Sequence, residues 1–425
     1  MQTAPRKVIN AWAMYDWANS SYSLIITSAI FPTYYTAIAP EQVRLFGRSF
    51  ARSSLASYAI SLSFLIIAVL SPILSSIADY QGNKKAFMKF FCYLGSAACV
   101  GLFFFTKDSI GLGLICSIVA SVGYCGSIVF YNAYLPEIAS EPDQDRVSAK
   151  GFALGYIGSV LQMILCLAFI LANTNFHWGL GTLPVRLSFL SVGIWWSGFA
   201  QLTFRLLPPS RRPEQRPDHN ILINGFYELG MVWNQLRHYV RLKRFLLSFF
   251  FYNTGVQTVM YLAAYFASDE LKMGSTQLII TILIIQVVAV FGAYLFSLIS
   301  QKTSNIFSLA VAIIIWIGVC IGAYFTRTVG QFYGVAFAVG MIMGGIQSMS
   351  RSTYSKLLPP TTDTASYFSF FDVCDKVGTV LGTLSFGYVG EFLGGMRNSV
   401  LALMIFFIIG FILLLFVRMK EGPAD

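Results

Sequence analysis

Ser127-Ile-Val-Phe-Tyr-Asn-Ala-Tyr134-Leu-Pro136 closes one apolar span, and Met349-Ser-Arg351-Ser-Thr-Tyr354-Ser-Lys-Leu-Leu-Pro359 closes another. Pro136 and Pro359 are 223 residues apart, as are Gly155 and Gly378 in the spans that follow. The turns carrying Asp79 and Gln301 differ by 222. A near-constant offset over half the chain marks a duplicated unit. Apolar runs lie at roughly 12–38, 54–77, 86–106, 110–135, 150–172, 184–207, 244–267, 276–299, 305–325, 330–350, 364–390 and 397–417. The unit therefore holds six spans, and an even number puts both copies in the same orientation across a bilayer.

Composition agrees with a lipid environment. Of 425 residues, 56% are hydrophobic and 11% charged, with a mean hydropathy of +0.66. A soluble domain carries about 25% charge, and a helix crosses ~30 Å of hydrocarbon with about 20 apolar residues. The expected fold is an all-α integral membrane protein of twelve transmembrane helices in two pseudo-symmetric six-helix bundles. The expected division is residues 1–207, a linker at 208–243, and 244–425.

The net charge of +10 does not indicate nucleic acid. With the N-terminus inside, twenty of the 29 Lys and Arg fall on the cytoplasmic side, eight outside, and Lys376 within a span. This is the positive-inside bias of a multi-pass protein, with both termini cytoplasmic. All seven Cys lie in apolar spans without a Cys-x-x-Cys pair, and the three His are far apart, so no metal site or cofactor is expected. The chain lacks a phosphate-binding Gly-x-x-x-x-Gly-Lys-Ser/Thr loop, which argues against ATP as its drive. Residues 1–11 are polar and the first span is too long for a signal peptide. The linker opens Pro208-Pro-Ser-Arg-Arg212 and then turns amphipathic through Ile221, Phe226, Leu229, Val232, Trp233, Leu236 and Tyr239. That pattern predicts a helix on the inner membrane surface.

Polar residues recur at helical spacing inside several spans. Asp16, Ser20, Ser23 and Thr27 form one stripe of span 1, flanked by Asn19. Span 4 offers Ser121, Tyr124, Tyr131 and Asn132; span 7 offers Asn253, Gln257 and Tyr261 in steps of four; span 10 ends in Gln347 and Arg351. Such stripes face either other helices or a water-filled cavity. In span 11, Ser369, Asp372, Lys376, Thr379 and Thr383 share a face, with Asp375 beside them. Lys376 lies ~18 Å from the start of that span, near midplane. A charge there costs at least ~2.5 kcal/mol, so it needs a partner; the spacing designates Asp372. Gly151-x-x-x-Gly155, Gly340-x-x-x-Gly344 and Gly378-x-x-x-Gly382 are read as packing or rocking contacts and not ligand sites. Arg44, Arg48 and Arg52 are spaced as one basic helical face.

The turn Ser75-Ser-Ile-Ala-Asp79-Tyr-Gln-Gly82-Asn-Lys84-Lys85 resembles the loop motif between helices 2 and 3 of the major facilitator superfamily. Asp79, Gly82, Lys84 and Lys85 match; Ser75 and Tyr80 depart from the usual Gly and Arg. A carboxylate at a helix end can sit against a neighbouring helix's N-terminus, so these four are candidate gate residues. Asn10-Ala-Trp12-Ala-Met-Tyr15-Asp16-Trp17-Ala-Asn19-Ser20, Phe31-Pro32-Thr-Tyr-Tyr35, Ser148-Ala-Lys-Gly151 and Gln347-Ser-Met-Ser-Arg351 resemble the Atg22-like vacuole effluxer family, a branch of that superfamily. The resemblance implies a transporter and not an enzyme, in which spans 1, 4, 7 and 10 line the cavity. It implies alternating access for a small-molecule solute, an amino acid or similar metabolite, carried by a monomer in a lipid membrane: the cell membrane, or the inner membrane if bacterial. Asp16, Asp372 and Asp375 are candidates for exchanging protons. The rival readings are an exporter of drugs, sugars or cell-wall fragments, and a non-transporting receptor or scramblase.

Overall fold

The computed structural model describes residues 2–45, 48–209, 230–236, 238–392 and 396–417. Among these residues, twelve helical rods cross the molecule. Span 1 runs through Arg6–Ser21, a π-helical stretch Tyr22–Ala29, and Ile30–Ile38. Spans 2 to 6 are Arg52–Gln81, Lys84–Gly101, Ile110–Ala133, Gln144–Asn175 and Leu183–Leu206. Spans 7 to 12 are Val240–Leu271, Ser275–Lys302, Asn305–Phe325, Val329–Leu357, Thr364–Phe392 and Met396–Leu415. Eight helices among the described residues are individually long and apolar enough to cross a membrane. The remaining rods include spans 1, 7 and 11, whose polar stripes or charges dilute their apolarity. The chain is a multi-pass membrane protein.

The repeat read from the sequence is visible in the packing. Span 1 lies against spans 5 and 6 as span 7 lies against 11 and 12; span 3 lies against 4 and 6 as span 9 lies against 10 and 12. Between the bundles, span 2 meets span 11 and span 5 meets span 8. These pairings give two faces. The basal face holds the start of span 1, the turn between spans 2 and 3, and the end of span 12; the distal face holds the opposite turns.

Glycines set the closest approaches. A Cβ on Gly292 would come 1.9 Å from the Met341 carbonyl oxygen, and one on Gly344 2.1 Å from that of Ala289. Spans 8 and 10 thus cross backbone against backbone, as small residues allow in lipid. Gly378 and Gly382 likewise admit Thr254 and Thr258 of span 7.

Three expectations change. The π-helical stretch abandons the i+4 spacing, so Ser23 and Thr27 do not continue the stripe begun by Asp16 and Ser20. Arg44 and Arg48 lie in a hairpin, β1 (Gln42–Leu45) paired antiparallel with β2 (Arg48–Ala51), and not on a helical face. Arg52 turns back to donate to the carbonyls of Thr36 and Ala39 at the end of span 1. In the linker, residues 210–229 lie outside the described part. Its helical end docks on protein and not only on lipid: Val232 and Leu236 are buried, Tyr367 donates to Gln235 at 2.9 Å, and Trp233 packs on Phe370.

Candidate functional site

Among the described residues, buried charges come together in four places. One lies about halfway along span 11 and the others seal the basal half of the interface between the bundles.

The mid-helix cluster is built by spans 7 and 11. Lys376 Nζ sits 2.5 Å from Asp375 Oδ2 and 3.5 Å from Asp372 Oδ1, so Asp375 is the nearer partner. Residues i and i+1 diverge around a helix, but the flexible lysine stem bends its ammonium across to either carboxylate. Asp375 Oδ1 also accepts from Asn253 at 2.6 Å and Gln257 at 2.7 Å. These bonds fix Asp375 as a three-partner carboxylate bridging the two spans. Asp372 is less satisfied: its Oδ2 is buried with no hydrogen-bond partner among the described residues. The ring of Phe64 from span 2 lies 5.5 Å from Lys376 Nζ and edge-on to Tyr261 at 6.4 Å. Residues of both bundles thus surround this charge.

Toward the basal face, Arg351 of span 10 crosses into the other bundle. Its guanidinium donates to Ser148 Oγ at 2.9 Å, the Ser148 carbonyl at 2.8 Å, Asp16 Oδ2 at 3.2 Å and Asn132 Oδ1 at 3.3 Å. It also lies over the rings of Phe152, Trp12 and Tyr131 at 4.2, 4.8 and 5.4 Å. Tyr131 donates to the same Asp16 oxygen at 2.7 Å, and Trp12 donates to the Tyr131 carbonyl at 3.0 Å. Gly151 makes room for this pair. A Cβ there would stand 2.6 Å from Asp16 Oδ2 and 2.9 Å from Arg351 Nη2. Gly151 thus lets the helices approach closely, and its missing side chain also accommodates a charged contact. Gly155 admits Ser20 in the same groove. Asn19 is buried and touches Ser20, while Gln347 accepts from Tyr156 of the other bundle at 2.7 Å.

Two latches close the basal edge. Gly82, with φ 63° and ψ 36°, ends span 2 in the left-handed conformation glycine favours. That turn presents Asp79 to the first turn of span 11. Its carboxylate accepts from the Ser366 backbone N–H and hydroxyl, each at 2.7 Å, and from the Ala365 N–H at 3.3 Å. A carboxylate thereby caps otherwise unpaired N–H groups at the positive end of a helix. Lys84 is buried beside it, 3.2 Å from Asp79, paired with Glu137 and donating to Thr364 Oγ1 at 2.6 Å and the Thr362 carbonyl at 2.9 Å. Lys85 does not join the interface; it donates to the Leu207 carbonyl at the end of span 6.

The second latch uses residues the sequence reading passed over. Asp145, at the start of span 5, accepts from Lys356 at 2.7 Å, Asn305 at 2.7 Å and Ser300 at 2.8 Å. The turn after span 8 has no acid, yet the equivalent contact persists with the acid supplied from the opposite bundle. Asp145, Glu137 and Lys356 sit at span ends, where charge is ordinary, so no spacing pattern sets them apart. A separate cleft of about 790 Å³ opens between spans 5 and 6, walled by Leu165, Phe169, Ile194 and Phe199. It shares no residue with these clusters. Among the described residues, no group of three His, Cys, Asp or Glu is placed to hold a metal ion.

Comparison with known proteins matches this arrangement. The family model described as "Vacuole effluxer Atg22 like" covers residues 4–425. The chain is 36% identical to an uncharacterized MFS-type transporter, YxiO, of Bacillus subtilis, over 98% of this chain and 96% of that one. It is 25% identical to autophagy-related protein 22 of Yarrowia lipolytica, over 93% and 80%. Among solved structures, the major facilitator transporter FucP in its outward conformation superposes with a TM-score of 0.71 at 15% identity, covering 98% of both chains. The proton:xylose symporter XylE does so with 0.72 at 12% identity, over 97% and 95%. Two six-helix bundles joined at one face by buried polar latches, and a family match over nearly its whole length, make this chain a member of the Atg22-like family of major facilitator transporters.

Proposed function

We propose that the protein is a secondary active transporter that moves a small metabolite, an amino acid or similar solute, by alternating access. The reading has it act as a monomer in the cell membrane, or the inner membrane in a bacterium, with both termini cytoplasmic. The basal face is then the cytoplasmic one, in keeping with the bias of Lys and Arg toward it. The observation that carries the reading is the Asp372–Asp375–Lys376 cluster. A charge at midplane, ringed by Asn253, Gln257, Tyr261 and Phe64, is expensive unless it serves a solute or ion path. Asp16, Asn19, Ser20, Tyr131, Asn132, Gln347 and Arg351 would line the path below it, and Asp79, Gly82 and Lys84 would belong to its gate, whereas Lys85, bonded to Leu207 within its own bundle, would not. Protons are the coupling ion this acid-rich path would suit.

The test is uptake into proteoliposomes with a panel of amino acids, sugars, cationic drugs and cell-wall fragments, with and without a pH gradient. Lys376→Gln should give folded protein that loses uptake, and adding Asp375→Asn should not restore it. A double variant that regains both stability and uptake would make the cluster a structural ion pair.

A further inference from the structure

We propose that Asp16 is the acid through which protons act on this transporter, because among the described residues its only cation comes from the opposite bundle. The inference rests on the alternating-access reading above.

Three acids lie deep in the candidate path, and they differ in who neutralises them. Asp372 and Asp375 share Lys376, which stands on the same helix. When the bundles rock against each other, that balance of charge travels with span 11 unchanged. Asp16 belongs to one bundle and Arg351 to the other. All of the guanidinium's hydrogen-bond acceptors, and the three rings against it, likewise belong to the Asp16 side. Opening the basal face therefore draws Arg351 out of its socket as a unit.

What remains around Asp16 is poor in charge. The carboxylate is 5% exposed and ~15 Å into span 1. Tyr131 of span 4 donates to it, Tyr124 of span 4 and Tyr156 of span 5 lie within its electrostatic reach, and Asn19 is buried about one turn along its own helix. Lys150, next to Gly151, is turned away to Asn10. Span 6 brings Thr203 and Trp195, neither of them charged. A buried carboxylate stripped of its cation is strongly disfavoured; binding a proton converts it to a neutral acid that Tyr131 can still contact. Arg351 and the proton thus compete for one oxygen. Asp145 also loses a cross-bundle partner, Lys356, but it stands at the basal edge, where water takes the lysine's place.

The sign follows. Protonation of Asp16 favours the separated basal face, and the ratio of open to closed protein should rise by up to tenfold per unit fall in pH across the window between the two states' proton affinities. Spin labels on Glu141→Cys and Thr303→Cys, both exposed and flanking the second latch, report that opening. The full chain, with its seven native cysteines replaced, is reconstituted in nanodiscs and titrated between about pH 5 and pH 9. Asp16→Asn should be mostly open and flat with pH, whereas Asp372→Asn and Asp375→Asn should keep the response. Tyr131→Phe, which removes a donor to the carboxylate, should move the midpoint to higher pH and stands in if Asp16→Asn does not fold. A response that survives in Asp16→Asn, vanishes in Asp375→Asn, or keeps its midpoint in Tyr131→Phe overturns the proposal while leaving the transporter reading intact. A label distance fixed in every variant, including the latch variant Asp79→Asn, overturns alternating access itself and the proposal with it.

Discussion

At the scale of single residues, Gly151 is the most exposed to test. The methyl of Gly151→Ala would fall between Asp16 and Arg351, closer than van der Waals contact to both. The Arg351 side is held by a two-point grip on Ser148 and cannot retreat without losing it. We expect Gly151→Ala to insert normally and to raise the open fraction at the basal labels several-fold. A Gly151→Ala protein with the wild-type distance distribution would mean that the pair relaxes around a methyl. Gly318 is the matched control: its Cβ would meet nothing within 4 Å. There Ala should leave stability unchanged or raise it by up to ~1 kcal/mol through helix propensity.

At the scale of elements, helix termini and helix crossings do different jobs. Spans 8 and 10 touch backbone to backbone at Gly292, where a Cβ would overlap the Met341 carbonyl. Neither atom is the end of a flexible side chain, so Gly292→Ala must push the helices apart. A loss of ~1–3 kcal/mol is the usual cost of overpacking, and thermal unfolding in detergent should fall by several degrees relative to Gly318→Ala. The first turn of span 11 depends instead on charge. Asp79→Asn keeps the size of the cap but removes the negative charge beside Lys84 and the Ser366 N–H. Faster hydrogen exchange at residues 364–367 and a larger open fraction should follow. Unchanged exchange there would show that Glu137 and Thr364 hold the turn without it.

At the scale of the whole molecule, the two latches resist one rigid-body motion. Asp79 joins span 2 to span 11, and Asp145 joins span 5 to spans 8, 9 and 10. They share no residue, so their effects on the closed state should add in free energy. The rise in the open-to-closed ratio for Asp79→Asn combined with Asp145→Asn should equal the product of the two single effects. A double variant no more open than either single one would show that one latch already controls the face. Among the described residues, the hydrogen bonds and ion pairs between bundles lie from midplane to the basal edge, with Tyr156–Gln347 the deepest hydrogen bond. Loosening them is therefore expected to open the basal side.

The sequence by itself determined the twelve spans, the duplication and the membrane environment, because burial in lipid demands long apolar helices and a repeat leaves a constant offset. It also singled out Lys376, Asp16 and Asp79, since a charge inside or at the end of such a helix stands out without any knowledge of its neighbours. Only the tertiary structure decided the partners. Asp375 and not Asp372 holds Lys376 most closely, because a lysine stem reaches around its helix where an idealised face does not. Arg351 meets Asp16 across 335 residues of sequence, and Asp145 meets Lys356 across 211. Helical spacing describes one helix at a time, whereas these contacts depend on how two bundles are placed against each other. The π-helical stretch in span 1 shows the same limit within a single element: its wider i→i+5 winding moves Ser23 and Thr27 off the line of Asp16. Composition and period set which residues are buried, and the packing of one bundle against the other set what each buried charge faces.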